Sequence, residues 1–139
     1  MKRFISLLLV LFILTLSSCG VPEIVDEARG YSERFILSLD EDLEKTMSFM
    51  HPDFWPGADR FDEYLGQLER AGEIDFSDGI EVLNGKFNSL GMELEVGGTY
   101  YTHIYDIVVS NKALHMYVTV VNDGDDYGVY YFGLFDPDL

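Results

Sequence analysis

The hydrophobic pattern changes its period twice along the chain. From Phe4 to Leu16 the residues are almost all apolar. Ile24, Ala28, Tyr31, Phe35 and Leu39 then recur at helical spacing and predict a helix over 23–38. Asp40-Glu41-Asp42 offers a cap for a second helix carrying Leu43, Met47 and Met50, which Pro52 ends. Asp59 caps a third helix with Phe61, Leu65 and Leu68 facing inward, and Gly72 stops it. The loop His51-Pro52-Asp53-Phe54-Trp55-Pro56-Gly57 lies between them, its two aromatics folding back onto the core.

After Gly79 the apolar residues alternate. A first strand over 80–90 is bent or bulged around Gly85. Met92, Leu94 and Val96 alternate with Glu93 and Glu95 before Gly97-Gly98. The strongest strand, 99–109, turns through Ser110-Asn111-Lys112 into 113–121. A polar loop, Asn122-Asp123-Gly124-Asp125-Asp126, leads to a last strand over 127–135. Helices first and strands second predict an α+β fold, with N-terminal helices packed on an antiparallel sheet.

The tight turn fixes the faces of the sheet. Paired residue numbers sum to 221 with Ser110-Asn111 as the turn or, with the turn shifted by one residue at each end, to 223, and the faces are the same either way. One face receives Tyr101, His103, Tyr105, Ile107 and Val109, with Leu114, Met116, Val118 and Val120, and the last strand adds Tyr130, Phe132 and Leu134. The helices should cover it. The other face carries Tyr100, Thr102, Ile104, Asp106 and Val108 beside His115, Tyr117, Thr119 and Val121. It is aromatic rather than cleanly polar, which predicts a partner or dimer contact through Tyr100, Ile104 and Tyr117.

Lys2 and Arg3 precede the apolar run, which is too short to span a bilayer and has the length of a signal h-region. Leu16-Ser17-Ser18-Cys19-Gly20 follows it and resembles the lipobox of bacterial lipoproteins, with Ser18 where Gly or Ala is commoner. The resemblance implies a signal peptide over residues 1–18, lipid on Cys19, and a mature domain over 19–139 held on the extracytoplasmic side of the cell membrane. Gly20 lacks the aspartate that marks inner-membrane retention in bacteria with two membranes. Cys19 is the chain's single cysteine, so an internal disulfide is impossible.

Without Lys2 and Arg3, seven basic residues face 25 acidic ones, a net charge of −18 for residues 19–139. That excludes a nucleic-acid-binding surface and adhesion to anionic headgroups, and leaves membrane attachment to the lipid. The mature length suits one domain.

The element order, with Met50-His51-Pro52-Asp53-Phe54 after two helices broken at an acidic turn, resembles the nuclear transport factor 2-like (cystatin-like) superfamily over residues 23–136. The resemblance implies a curved sheet wrapping a helix, with a pocket in the resulting cone. The superfamily contains enzymes, carriers and non-enzymatic dimers, so fold alone does not choose among them. The matching pocket candidates are Trp55, Tyr101, His103, Tyr105, Met116 and Tyr130, with His51 near the mouth.

No catalytic set, metal site or cofactor site emerges. His103 could act as acid or base beside Tyr101 or Tyr105, but no carboxylate shares its strand face to tune it. Asp106 and His115 lie cross-strand without a Ser or Cys nucleophile, and read as a hairpin-stabilising pair. His51, His103 and His115 are scattered, a poor zinc arrangement. The 122–126 loop has oxygen ligands for weak calcium binding but reads as a hairpin loop. Gly97-Gly98 lacks phosphate-loop context and reads as a bend. Three expectations stand. The chain is a non-enzymatic lipoprotein binding a small apolar ligand or a protein partner, an isomerase- or dehydratase-like enzyme with a His/Tyr pocket, or a dimerising structural or inhibitory protein.

Overall fold

A computed structural model describes residues 21–53, 58–93 and 98–135. Cys19, Trp55 and the whole 1–18 segment therefore lie outside the described residues, as do Gly97 and the 94–96 alternation. Helix α1 spans Val21–Ser38, α2 Leu43–Met47 and α3 Ala58–Gly72, and a short 3-10 turn covers Phe76–Asp78. Strands β1 (Ile80–Glu93), β2 (Gly98–Val109), β3 (Lys112–Asn122) and β4 (Tyr127–Phe135) form one antiparallel sheet in the order β1-β2-β3-β4. The expected α+β architecture is present. No helix among the described residues is long and apolar enough to cross a membrane.

The helices lie on one side of the sheet. Phe35 and Ile36 of α1, Leu39 just after it, Phe61 of α3, and Phe76 pack against Tyr105, Ile107, Met116, Val118 and Phe132. Phe132 is the hub: Phe35 meets its ring edge-on at 4.8 Å and Tyr64 at 5.2 Å. The first helix departs from expectation at one end. Ile24 is 43 % exposed, so its inward stripe starts at Ala28 and includes Ile36.

The second helix is shorter than the Met47–Met50 spacing predicts. Asp42 caps it by accepting from the Lys45 backbone N–H at 2.7 Å. Its chain then leaves the helix to bond with β4: Val129 N–H donates to the Phe49 carbonyl (2.7 Å), and His51 N–H donates to the Val129 carbonyl (2.9 Å). Those strand-like bonds replace another helical turn, and Met50 forms a parallel bridge with Val129. Gly128 permits this close approach, because a Cβ there would strike the His51 backbone.

The β2–β3 pairing follows the Ser110-Asn111 turn: Val109 opposes Lys112, Tyr105 opposes Met116 and His103 opposes Val118. Ser110 and Asn111 both take positive φ, 50° and 61°, the conformation of a two-residue I′ hairpin. Asn tolerates it readily. Ser110 is held there by its hydroxyl, which accepts from Asp75 N–H at 3.0 Å and donates to Asp78 Oδ2 at 2.5 Å.

Two expectations about strands need correction. The first strand does not end near Leu90 but continues through Gly91 to Glu93. Gly91 is the place where the Tyr100 ring crosses onto β1: a Cβ there would lie 2.5 Å from Tyr100 Cε1. The apparent break is a seat for that ring. On β4, a bulge between Thr119 and Val120 opposes Thr119 with Tyr131 and Val120 with Val129. Val129 therefore takes the inward position expected for Tyr130, which is displaced from the inward set.

Candidate functional site

The sheet has two unlike faces, and each holds part of the predicted site. On the inner face Tyr101, His103, Tyr105 and Met116 are all buried. Tyr105 spans from β2 to α1, where its hydroxyl donates to the Arg29 carbonyl at 3.0 Å. Burial pushes its phenol well above the ordinary range. The ring has room because β1 places Gly85 opposite it: a Cβ on Gly85 would sit 2.6 Å from Tyr105 Cε1.

His103 is 0 % exposed and wedged between rings, with Phe87 at 5.5 Å and Tyr105 at 6.2 Å between centroids. Neither ring nitrogen has a hydrogen-bond partner among the described residues. Burial lowers its basicity, the Arg29 guanidinium lowers it further, and Asp26 pulls it partly back. Nearby, the Tyr127 hydroxyl is also buried without a partner. Burial, then the Glu27 carboxylate, raises that phenol.

The outer face is half-exposed and aromatic. Tyr100, Ile104 and Tyr117 fall there as expected, joined by Tyr131 and Phe135, which are 55 % and 40 % exposed. The Tyr117 ring crosses onto β4 above Gly133 and stacks between Tyr131 (5.4 Å) and Phe135 (6.4 Å), with interplanar angles of 29° and 27°. Thr102 and Thr119 share a 2.7 Å hydrogen bond across the strands. Sequence reasoning named neither Tyr131 nor Phe135 on this face, although inward Phe132 and Leu134 imply both; the regular pairing of Thr119 with Tyr131 and Tyr117 with Gly133 sets Tyr131 beside Tyr117.

Asp106 and His115 are direct cross-strand partners. His115 Nδ1 lies 2.7 Å from Asp106 Oδ1, an ion-pair distance without hydrogen-bond alignment, and the imidazole also packs on Phe135 at 4.9 Å. No Ser or Cys side chain stands at the outward β2 and β3 positions beside them, so the pair ties a hairpin together and lacks the third member of a nucleophilic triad.

A third constellation was not legible in the sequence. His51 is fully buried, and its Nε2 lies 3.1 Å from Asp123 Oδ2 of the 122–126 loop. Asp53 N–H donates to His51 Nδ1 at 3.3 Å, so the proton sits on Nε2 and is donated to Asp123. The other Asp123 oxygen accepts from Asp125 and Asp126 N–H at 3.0 and 2.7 Å. Those backbone bonds, with His51, hold its carboxyl below the usual carboxylate range. The ligand atoms of His51, Asp53, Asp123 and Asp126 lie within 4.8 Å of one another, so a cation has donors here, but the existing bonds already account for the arrangement as a loop lock. Gly128, whose missing Cβ admits the 50–51 segment, is a sequence feature that could have marked this contact but has no strand-pattern signature.

Comparison of the chain with protein-family models, curated proteins and solved structures gives no match.

Proposed function

We propose that the chain is a bacterial lipoprotein: cut before Cys19, lipid-anchored there on the extracytoplasmic side of the membrane, and acting without catalysis by binding a protein partner. Its domain is proposed as a member of the nuclear transport factor 2-like superfamily, consistent with helices preceding an antiparallel sheet. The observation that carries the binding reading is a contrast of charge. Residues 19–139 carry −18, yet the outward positions of β2, β3 and β4 in the register between Thr99 and Phe135 include one carboxylate, Asp106. The rest are Tyr, Thr, Ile, Val, Ala, His, Gly and Phe. A patch over β2–β4 with a single carboxylate, edged on β1 by Glu81 and Lys86, has in so acidic a domain the composition of an interface core with a charged rim.

Metabolic labelling with a fatty-acid analogue tests the anchor. Wild type should be labelled and Cys19→Ser should not; equal labelling refutes the assignment. For the surface, Tyr131→Glu with Phe135→Glu should leave the fold intact and abolish the complex that wild type forms. A complex that survives contradicts the reading.

A second reading, a small apolar ligand or substrate held by Tyr101, His103, Tyr105 and Met116, draws on the unpaired nitrogens of His103. It requires a thermal shift with a matching compound from a lipid, sterol-like and peptide panel.

A further inference from the structure

A buried imidazole with two unpaired nitrogens is tolerable only while neutral. Unpaired neutral polar groups already cost free energy in an apolar site, and a charged one costs far more. His103 occupies such a site, so the groups around it decide what happens when it takes a proton. From β1, Phe87 presents a ring; from β3, Val118 is its cross-strand partner. On its own strand stand Tyr101 and Tyr105. On β4 the Tyr127 phenol couples to Tyr101 and Tyr105 on this face, with Glu27 acting on that phenol. From α1 come the charges Arg29 and Asp26, themselves paired at 3.5 Å, with Glu33 acting on Tyr105 further along. No carboxylate among the described residues hydrogen-bonds His103, and the nearby Arg29 guanidinium disfavours an imidazolium.

The element over His103 is unevenly fastened. The second half of α1 is bound by Phe35 and Ile36, and by Leu39 just after it, in the main core, with Phe35 against both Phe132 and Phe49. The first half contributes Ala28 and the Arg29 carbonyl that receives the Tyr105 hydroxyl, while Glu23, Ile24, Asp26 and Glu27 are exposed. Lifting that half would carry Arg29 away from His103 and admit water to both ring nitrogens.

We propose that His103 is an acid-sensitive latch, whose protonation releases the first half of α1 from the sheet while the second half stays docked. The closed state resists the proton; the open state accepts it at an ordinary imidazole pKa near 6.5. The closed form is therefore fully favoured above that pH and loses ground as pH falls below it, by up to about tenfold per pH unit for one proton. Acidification also relieves the repulsion within a −18 domain, which acts in the opposite direction, so a local loss of protection stands out against the rest of the molecule.

Hydrogen exchange of the full chain, corrected for intrinsic rates, tests this at pH 7.5, 6.5 and 5.5. Protection over 21–32 should fall about fivefold between pH 6.5 and 5.5, while 33–38 and β3 keep theirs. His103→Phe should remove that dependence; His115→Gln should retain it. Unchanged protection over 21–32 in wild type, or the same loss in His103→Phe, overturns the latch. Should His103→Phe fail to fold, NMR titration of the wild-type ring decides. A ring that titrates near 6.5 while α1 stays protected overturns it; protonation delayed until α1 opens supports it.

Discussion

The two faces of the sheet use the same device for opposite ends. On each, a tyrosine ring reaches across to a neighbouring strand and rests over a glycine: Tyr105 over Gly85 inside, Tyr117 over Gly133 outside. Inside, the ring is sealed under α1 and its hydroxyl is spent on the Arg29 carbonyl. Outside, it stacks in a row with Tyr131 and Phe135 that no described helix covers. Identical local chemistry yields core where a helix lies above and a half-exposed aromatic surface where no described helix does. The difference is set by what packs on the sheet, not by the strand residues themselves.

Core truncation separates the faces most sharply. Met116 is fully buried, so Met116→Ala should cost about 2–5 kcal/mol. Tyr131→Ala, at a half-exposed outer position, should stay within about 1 kcal/mol. Denaturant melts of both variants read the gap directly, and equal losses would mean that the outer ladder is structural. The glycine seats give a finer contrast. Gly85→Ala pushes a methyl into a sealed ring and should cost about 1–3 kcal/mol. Gly133→Ala should cost less, since the Tyr117 ring has solvent to swing into; a reversed order in thermal melting would break the comparison. The smallest effect belongs to Asp106→Asn, within about 0.5 kcal/mol, because its His115 partner is partly exposed and poorly aligned. A larger loss would give that pair a role the geometry does not explain.

The sheet was legible where one face is buried and the period holds. Tyr101, His103, Tyr105, Ile107 and Val109 alternate without interruption, which fixed their face and narrowed the pairing to two registers, of which the structure takes the one with Ser110-Asn111 as the turn. Legibility failed at bulges. The extra residue at Tyr130 moves an aromatic out of the inward set without altering the local composition. The β1 irregularities between Val82 and Asn84 and between Phe87 and Ser89 are of the same kind. Long-range loop contacts were equally silent: His51 and Asp123 are 72 residues apart, and neither lies in a periodic segment. Part of the candidate site was readable as faces, including Tyr100, Ile104 and Tyr117, and the inward alternation of Phe132 and Leu134 implies its extension to Tyr131 and Phe135. That His103 has no hydrogen-bond partner among the described residues is a property of packing that no strand pattern carries.

Site-specific photo-crosslinking in intact cells tests the central claim that the outer face binds while the inner face is filled. A photoreactive phenylalanine analogue replaces Tyr131 in one version of the full chain and Tyr101 in another. The account predicts a discrete higher-mass adduct from position 131, lost when Phe135→Glu is added, and intramolecular products alone from position 101. An adduct of twice the chain mass would make the partner a second copy. Intermolecular or ligand adducts from 101, with none from 131, would contradict the account.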